Sequence, residues 1–262
     1  MVLVGAGDIA SCGFDDDEKT AQLLDDIAGT VFTLGDNVYD DGKSSEFRDC
    51  YDPTWGRHKS RTRPAPGNHD YRTDGAPYFE YFGEAAGEPG KGWYSYDLGA
   101  WHVVVLNSNC DAVGGCGPDS EQVRWLRSDL SGNPSRCTLS YWHHPRFSAG
   151  KYSDNDELKP LWQALYDAGA EIIMSGHDHN YQRYAPQDPA GVEDEADGIR
   201  QFVVATGGTH FYEVDKGHAN LEVSKDNTHG VLKLTLSPTH YDWEFIPVEG
   251  KTFTDSGSGL CH

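Results

Sequence analysis

Five short β-rich runs in this chain each stop at a cluster of polar, ionisable residues, and that recurrence limits the fold more than any other feature. Residues 2–4 lead to Gly7-Asp8, 30–34 to Gly35-Asp36-Asn37-Val38-Tyr39, and 62–65 to Gly67-Asn68-His69-Asp70. Residues 137–142 run into His143-His144-Pro145, and 171–174 into Ser175-Gly176-His177-Asp178-His179. Between them, 17–28, 122–130 and 157–168 carry apolar residues at helical spacing, as in Leu158, Leu161, Leu165 and Ala168. Alternating strands and helices with ligand-type residues at strand C-termini describe an α/β sheet that builds its site at those ends.

The rest of the chain is read more briefly. Residues 93–98 and 101–107, with Gly99-Ala100 between them, have the pattern of a β-hairpin. The last third is again β-rich at 201–206, 231–236 and 241–247, which predicts a second sheet packed on the first. Residues 185–200 hold two prolines and five acidic residues, a surface loop rather than a linker. A single domain, 1–262, is expected.

Taken singly, a Gly-Asp after a strand is a turn and a lone histidine is a surface or hydrogen-bonded group. Together the five strand ends supply Asp8, Asp36, Tyr39, Asn68, His143, His177 and His179. Carboxylate, phenol, amide and imidazole donors without a cysteine suit first-row transition metals or zinc, and seven donors exceed one tetrahedral ion. They suit two adjacent ions. No serine or cysteine nucleophile motif accompanies them.

The order Gly-Asp-x, Gly-Asp-x-x-Tyr, Gly-Asn-His-Asp, His, Gly-His-x-His resembles the purple acid phosphatase branch of the calcineurin-like metallophosphoesterases, over Asp8 to His179. The resemblance implies a sandwich of two mixed β-sheets flanked by helices. It also implies that one ion is held by Asp8, Asp36, Tyr39 and His179 and a second by Asp36, Asn68, His143 and His177, with Asp36 bridging. In the wider superfamily the first motif continues to a metal-ligating histidine, where this chain has Ala10, and Tyr39 fills the gap. A free phenol titrates at about 10, so Tyr39 ligates well only as a phenolate on a strongly polarising ion. The implied cofactor is Fe(III) paired with Zn, Mn or Fe(II).

The implied activity is hydrolysis of phosphate monoesters, with hydroxide held by the metals attacking phosphorus directly and no phosphoenzyme. His69, beside Asn68, resembles the histidine that contacts phosphate or protonates the leaving group, and His144 is a second candidate for that work. A phosphodiesterase or nucleotidase of the same fold is the alternative, and a non-catalytic metal- or phosphate-binding protein a more distant one. The sequence departs from the family pattern at Asp70, where a glutamate is more frequent, at Ser140, and at Gly150-Lys151-Tyr152-Ser153, where another phosphate-contacting histidine is common. Lys151 or Tyr152 could take that contact. Arg183 and Tyr184 are expected to brace the His177-His179 turn, and His102, His210, His218, His229 and His240 match no family position.

Charge narrows the partners. With 42 Asp and Glu against 21 Lys and Arg, the formal net charge is -21, which repels nucleic acid and anionic membrane surfaces alike. A small phosphate ester reaching a metal-lined cleft avoids most of that field. No apolar run approaches the roughly 18 residues of a membrane span. Six cysteines without a Cys-x-x-Cys pair read as disulfides in an exported, secreted or periplasmic protein whose signal peptide is already absent. Fifteen connectivities are open; the expected one is Cys12–Cys50, Cys110–Cys116 and Cys137–Cys261.

Overall fold

The computed structural model describes residues 1–135 and 137–262. Two mixed sheets face each other. The first runs, edge to edge, through Ser256–Leu260, His240–Pro247, Gly230–Leu236, Val2–Ala6, Thr30–Leu34 and Thr62–Ala65. Its last three strands are parallel and the others antiparallel. The second runs through Leu221–Lys225, Tyr181–Tyr184, Arg200–Val204, Ile172–Ser175, Cys137–Tyr141, Trp101–Val105 and Tyr94–Leu98. Its inner strands are parallel.

Period-two alternation decides what each face buries. Val103, Val105, Leu139, Tyr141, Ile172 and Met174 point into the core between the sheets, on the side where Phe32 meets Tyr141 with ring centroids 5.8 Å apart and where Leu3 shares the face of Phe32. Their neighbours Val104, Leu106 and Ile173 point the other way, into a second core with Val123, Leu126, Leu130, Leu161, Trp162 and Leu165. The latter residues belong to the helices Glu121–Gly132 and Lys159–Asp167, which therefore cover the outer face of the second sheet. Ser120 caps the first of these helices by accepting the Val123 N–H at 3.3 Å. The helix expected at 17–28 is Asp16–Asp25.

The expected hairpin is present, with Leu98 paired to Trp101 across a turn in which Gly99 adopts φ 69°. The expectation of a separate sheet from the last third is corrected. Arg200–Val204 joins the second sheet beside Ile172–Ser175, whereas Gly230–Leu236 and His240–Pro247 extend the first beside Val2–Ala6. The tail thus adds strands to both sheets, Arg200–Val204 and Leu221–Lys225 to the second and Gly230–Leu236, His240–Pro247 and Ser256–Leu260 to the first. Residues 185–200 are a loop pinned by Gln187 bridging to Glu193 and Ile199.

All three expected disulfides form, with Cα separations of 5.2 Å for Cys12–Cys50, 5.2 Å for Cys110–Cys116 and 5.4 Å for Cys137–Cys261. The last ties the chain end to a central strand of the second sheet. Among the described residues no helix is long and apolar enough to cross a membrane.

Candidate metal centre

The parallel strands of both sheets point their C-terminal ends at one spot, and the backbone there is bent hard. Asp8, Asp36 and His177 adopt φ of 61°, 48° and 69°, a left-handed conformation that few non-glycine residues hold outside functional sites. Three successive N–H groups, of Asp8, Ile9 and Ala10, donate to the carbonyls of Gly35, Asp36 and Asn37, so the first two loops are locked side by side. Gly67 lets the third loop close on them, because a Cβ there would collide with the Asp36 backbone and carboxylate. The Asp70 carboxylate completes the clamp, accepting the Gly67 N–H at 2.8 Å and the Asn37 side-chain amide at 2.9 Å. Burial and the nearby Asp36 push Asp70 up to about 7.

The structure brings all seven sequence-predicted positions together. On one side, Tyr39 Oη lies 2.8 Å from Asp8 Oδ1, 3.1 Å from Asp36 Oδ2 and 3.3 Å from His179 Nε2. On the other, His143 Nε2 lies 3.3 Å from Asp36 Oδ2, 3.0 Å from Asn68 Oδ1 and 3.2 Å from His177 Nδ1. Asp36 Oδ2 touches both groups.

Two buried carbonyls fix which ring nitrogen of the central histidines carries the proton. His143 Nδ1 is 2.7 Å from Leu34 O, and His179 Nδ1 is 2.8 Å from His210 O. A carbonyl only accepts, so each Nδ1 donates and each Nε2 turns its lone pair inward. There each Nε2 faces carboxylate, phenol or amide oxygens, an arrangement that a positive charge between them stabilises, whether a second proton on the ring or a metal ion. Burial pushes His143 down, yet Asp36 outweighs it and raises the imidazole to about 9. Burial likewise pushes Asp36 up, and His143 and His69 outweigh it to hold the carboxylate well below its usual range. Burial, then the Asp36 and Asp8 charges, hold the Tyr39 phenol far above its ordinary value. A phenolate at Tyr39 therefore requires a strong cation beside it. The donor set fits two metal ions.

The two other predicted residues lie at the rim of this cluster. His69 donates its backbone N–H to Asp36 Oδ1 at 2.7 Å and packs against Tyr39 with ring centroids 4.4 Å apart and planes tilted by 55°, with Nδ1 2.6 Å from Asp40 O. Its Nδ1 proton is thus committed, and Nε2 donates only when the ring carries a second proton. His144 packs 4.4 Å from the His177 ring. The Ser108 hydroxyl accepts the His144 N–H at 2.9 Å and lies 2.8 Å from Nδ1. His143, His144 and His177 lie close enough to offer one ion a ligand atom each. Burial and the adjacent His143 push His144 down to about 3, so it stays neutral.

Three residues were given no site role by the sequence. Asn37 and Asp178 sit inside motifs, between or beside ligand positions, and hold loops together. His210 contributes its carbonyl, and a backbone oxygen leaves no mark in a sequence. The expectation for Arg183 is corrected: it pairs with Asp255 at 2.7 Å and with Glu222, away from the His177-His179 turn. Tyr184 instead braces the 148–150 segment, accepting the Ala149 N–H at 2.8 Å. Gly207 also lies beside the first loop, its N–H donating to Gly7 O at 2.9 Å.

Residues 1–181 match a family model described as calcineurin-like phosphoesterase. Purple acid phosphatase 17 of Arabidopsis thaliana is 27% identical over 206 aligned positions, covering 60% of this chain and 54% of that protein. Probable inactive purple acid phosphatase 1 of the same plant is 23% identical over 261 positions, covering 82% of this chain and 41% of that one. The solved structure of purple acid phosphatase PPD1 from yellow lupin seeds has a TM-score of 0.77 at 19% identity, over 98% of this chain and 53% of that chain. At that identity the likeness speaks for the fold. This chain spans between 24% and 54% of the length of the curated relatives first matched.

Proposed function

The chain belongs to the calcineurin-like phosphoesterase family, and from that membership we propose that it is a metal-dependent phosphatase acting on small phosphate monoesters. The observation that carries the reading is the sharing of Asp36 Oδ2 between the Tyr39 and His143 groups, 3.1 Å and 3.3 Å away. Asp8, Tyr39 and His179 would hold one ion and Asn68, His143 and His177 the other, with Asp36 common to both. Tyr39 favours Fe(III) at the first position, and the all-neutral remainder of the second favours Zn, Mn or Fe(II). Such a pair supplies Lewis acidity toward phosphoryl oxygens and lowers the pKa of water.

The chain's own residues do the rest. Leu34 O and His210 O orient the two imidazoles, the Asp8–Ala10 N–H groups hold the first two loops together, and Asp70 ties the second loop to the third. His69, with Nδ1 anchored on Asp40 O, is placed to donate from Nε2 to the ester when doubly protonated. His144, a neutral imidazole against the His177 ring, is the second candidate for that contact. Three disulfides support an oxidising, extracytoplasmic setting.

One observation favours a second reading. The 150–153 stretch lacks the phosphate-contacting histidine that is common there, and the absence of that residue keeps diester or nucleotide cleavage as the rival. Metal analysis and turnover of 4-nitrophenyl phosphate against bis(4-nitrophenyl) phosphate, across pH, separate the two. Two metals per chain with faster monoester turnover are expected. Cleavage of the diester alone would sink the monoesterase reading, and a metal-loaded protein inert to both would sink the enzyme.

A further inference from the structure

Segment 148–153 is tied to the turn that carries His177 and His179, and the tie is Asp178. This buried carboxylate accepts the Tyr152 N–H at 3.3 Å and the Ser148 hydroxyl. Gly150 permits the approach, since a Cβ there would lie 2.5 Å and 2.7 Å from the two Asp178 oxygens. Gln182 Oε1 and Tyr184 Oη both accept the Ala149 N–H, which fixes the start of the segment. Asp178 is therefore a positioning residue.

The segment so held lays Tyr152 on His177, ring centroids 4.1 Å apart and 29° from parallel. Tyr212 lies in the same way on His179, at 4.3 Å and 11°. Lys151 rests on this pair of rings, its Nζ 4.3 Å from the Tyr212 centroid and 5.0 Å from that of Tyr152. The ammonium is exposed, has the Tyr152 hydroxyl 3.5 Å away, and among the described residues has no carboxylate within 4.0 Å. Aromatic faces hold a cation through the ring quadrupole without consuming its N–H donors. On a chain of formal charge -21, an uncompensated ammonium fixed beside the two histidines is a local attractor for an anion.

We propose that Lys151 is the phosphate-binding cation of this site, held by Tyr152 and Tyr212, and that it favours dianionic monoesters over monoanionic diesters. Its Nζ donates to a non-bridging phosphate oxygen, and the attraction grows with the charge of the ester. The inference rests on the phosphatase reading and adds to it the residue that selects the substrate class.

The test compares the metal-loaded chain with K151M and K151R. Inorganic phosphate, titrated calorimetrically, should bind about tenfold more weakly to K151M, the loss of one charge-assisted hydrogen bond, and K151R should recover most of it. Metal content should be unchanged. For 4-nitrophenyl phosphate, KM should rise by about the same factor with kcat within about twofold, and the diester should lose less. Equal phosphate affinity in K151M and the parent overturns the proposal, as do equal losses on monoester and diester. If the parent hydrolyses nothing yet phosphate affinity still falls in K151M, the phosphatase reading fails and Lys151 stands as a phosphate ligand.

Discussion

Nε2 of His143 faces Oδ2 of Asp36 at 3.3 Å, while Nδ1 of the same ring is held 2.7 Å from the carbonyl of Leu34. The imidazole is therefore oriented from behind by the strand that also delivers Asp36. Because Asp36 Oδ2 serves both donor groups, Asp36→Ala should remove both metals and all measurable turnover together. Elemental analysis of the purified variant checks this, and retention of two ions per chain would refute the shared role.

Tyr39 Oη is the one phenol in the cluster, 2.8 Å from Asp8 and 3.1 Å from Asp36. With iron bound there, the protein should show a broad visible band from tyrosinate-to-iron charge transfer, and Tyr39→Phe should abolish it. A colourless protein carrying only zinc or manganese would remove the iron assignment.

His69 packs at a tilt against Tyr39 and donates only its backbone N–H to Asp36. His69→Ala should keep metal content and melting temperature near the parent values yet lose about 10²-fold or more in kcat, the usual weight of a general acid. Full activity in that variant would take His69 out of the mechanism.

Glu171 is buried beside the Cys137–Cys261 disulfide, and its Oε2 accepts the Thr138 N–H at 2.6 Å. Burial raises its carboxyl to about 8, against about 4.3 in an unfolded chain. The folded state thus keeps a proton that the unfolded state releases, so this group's contribution is full below about pH 4 and is lost as pH rises to about 8. Glu171→Gln should melt near the parent at pH 4. At pH 8 it should be more stable, by about 4 kcal/mol at about 1.36 kcal/mol per pKa unit, or about 10 °C. Identical differences at both pH values would contradict the argument.

The three disulfides close loops with sequence separations of 124, 38 and 6 residues. Chain-entropy estimates rank their removal at about 5, 4 and 2 kcal/mol in that order. Paired Cys→Ala variants at 137/261, 12/50 and 110/116, unfolded with denaturant under metal-free conditions, give the ranking. A largest loss at 110/116 would overturn it.

Much of the candidate site is local in the sequence. Each donor follows a β-rich run within a few residues, so strand ends, donor types and the Gly-His-x-His spacing are legible without coordinates. The hairpin at Leu98 and Trp101 is likewise set by a two-residue turn. What the sequence could not decide is which sheet the tail strands join, because Arg200–Val204 and Gly230–Leu236 carry the same β-rich pattern and differ only in which open edge they meet. Nor could it name Leu34 O and His210 O as the groups that set the imidazole tautomers, or Asp178 as the tie that seats Tyr152. Every residue has a carbonyl, and only the folded chain determines which of them a buried ring finds within hydrogen-bond reach.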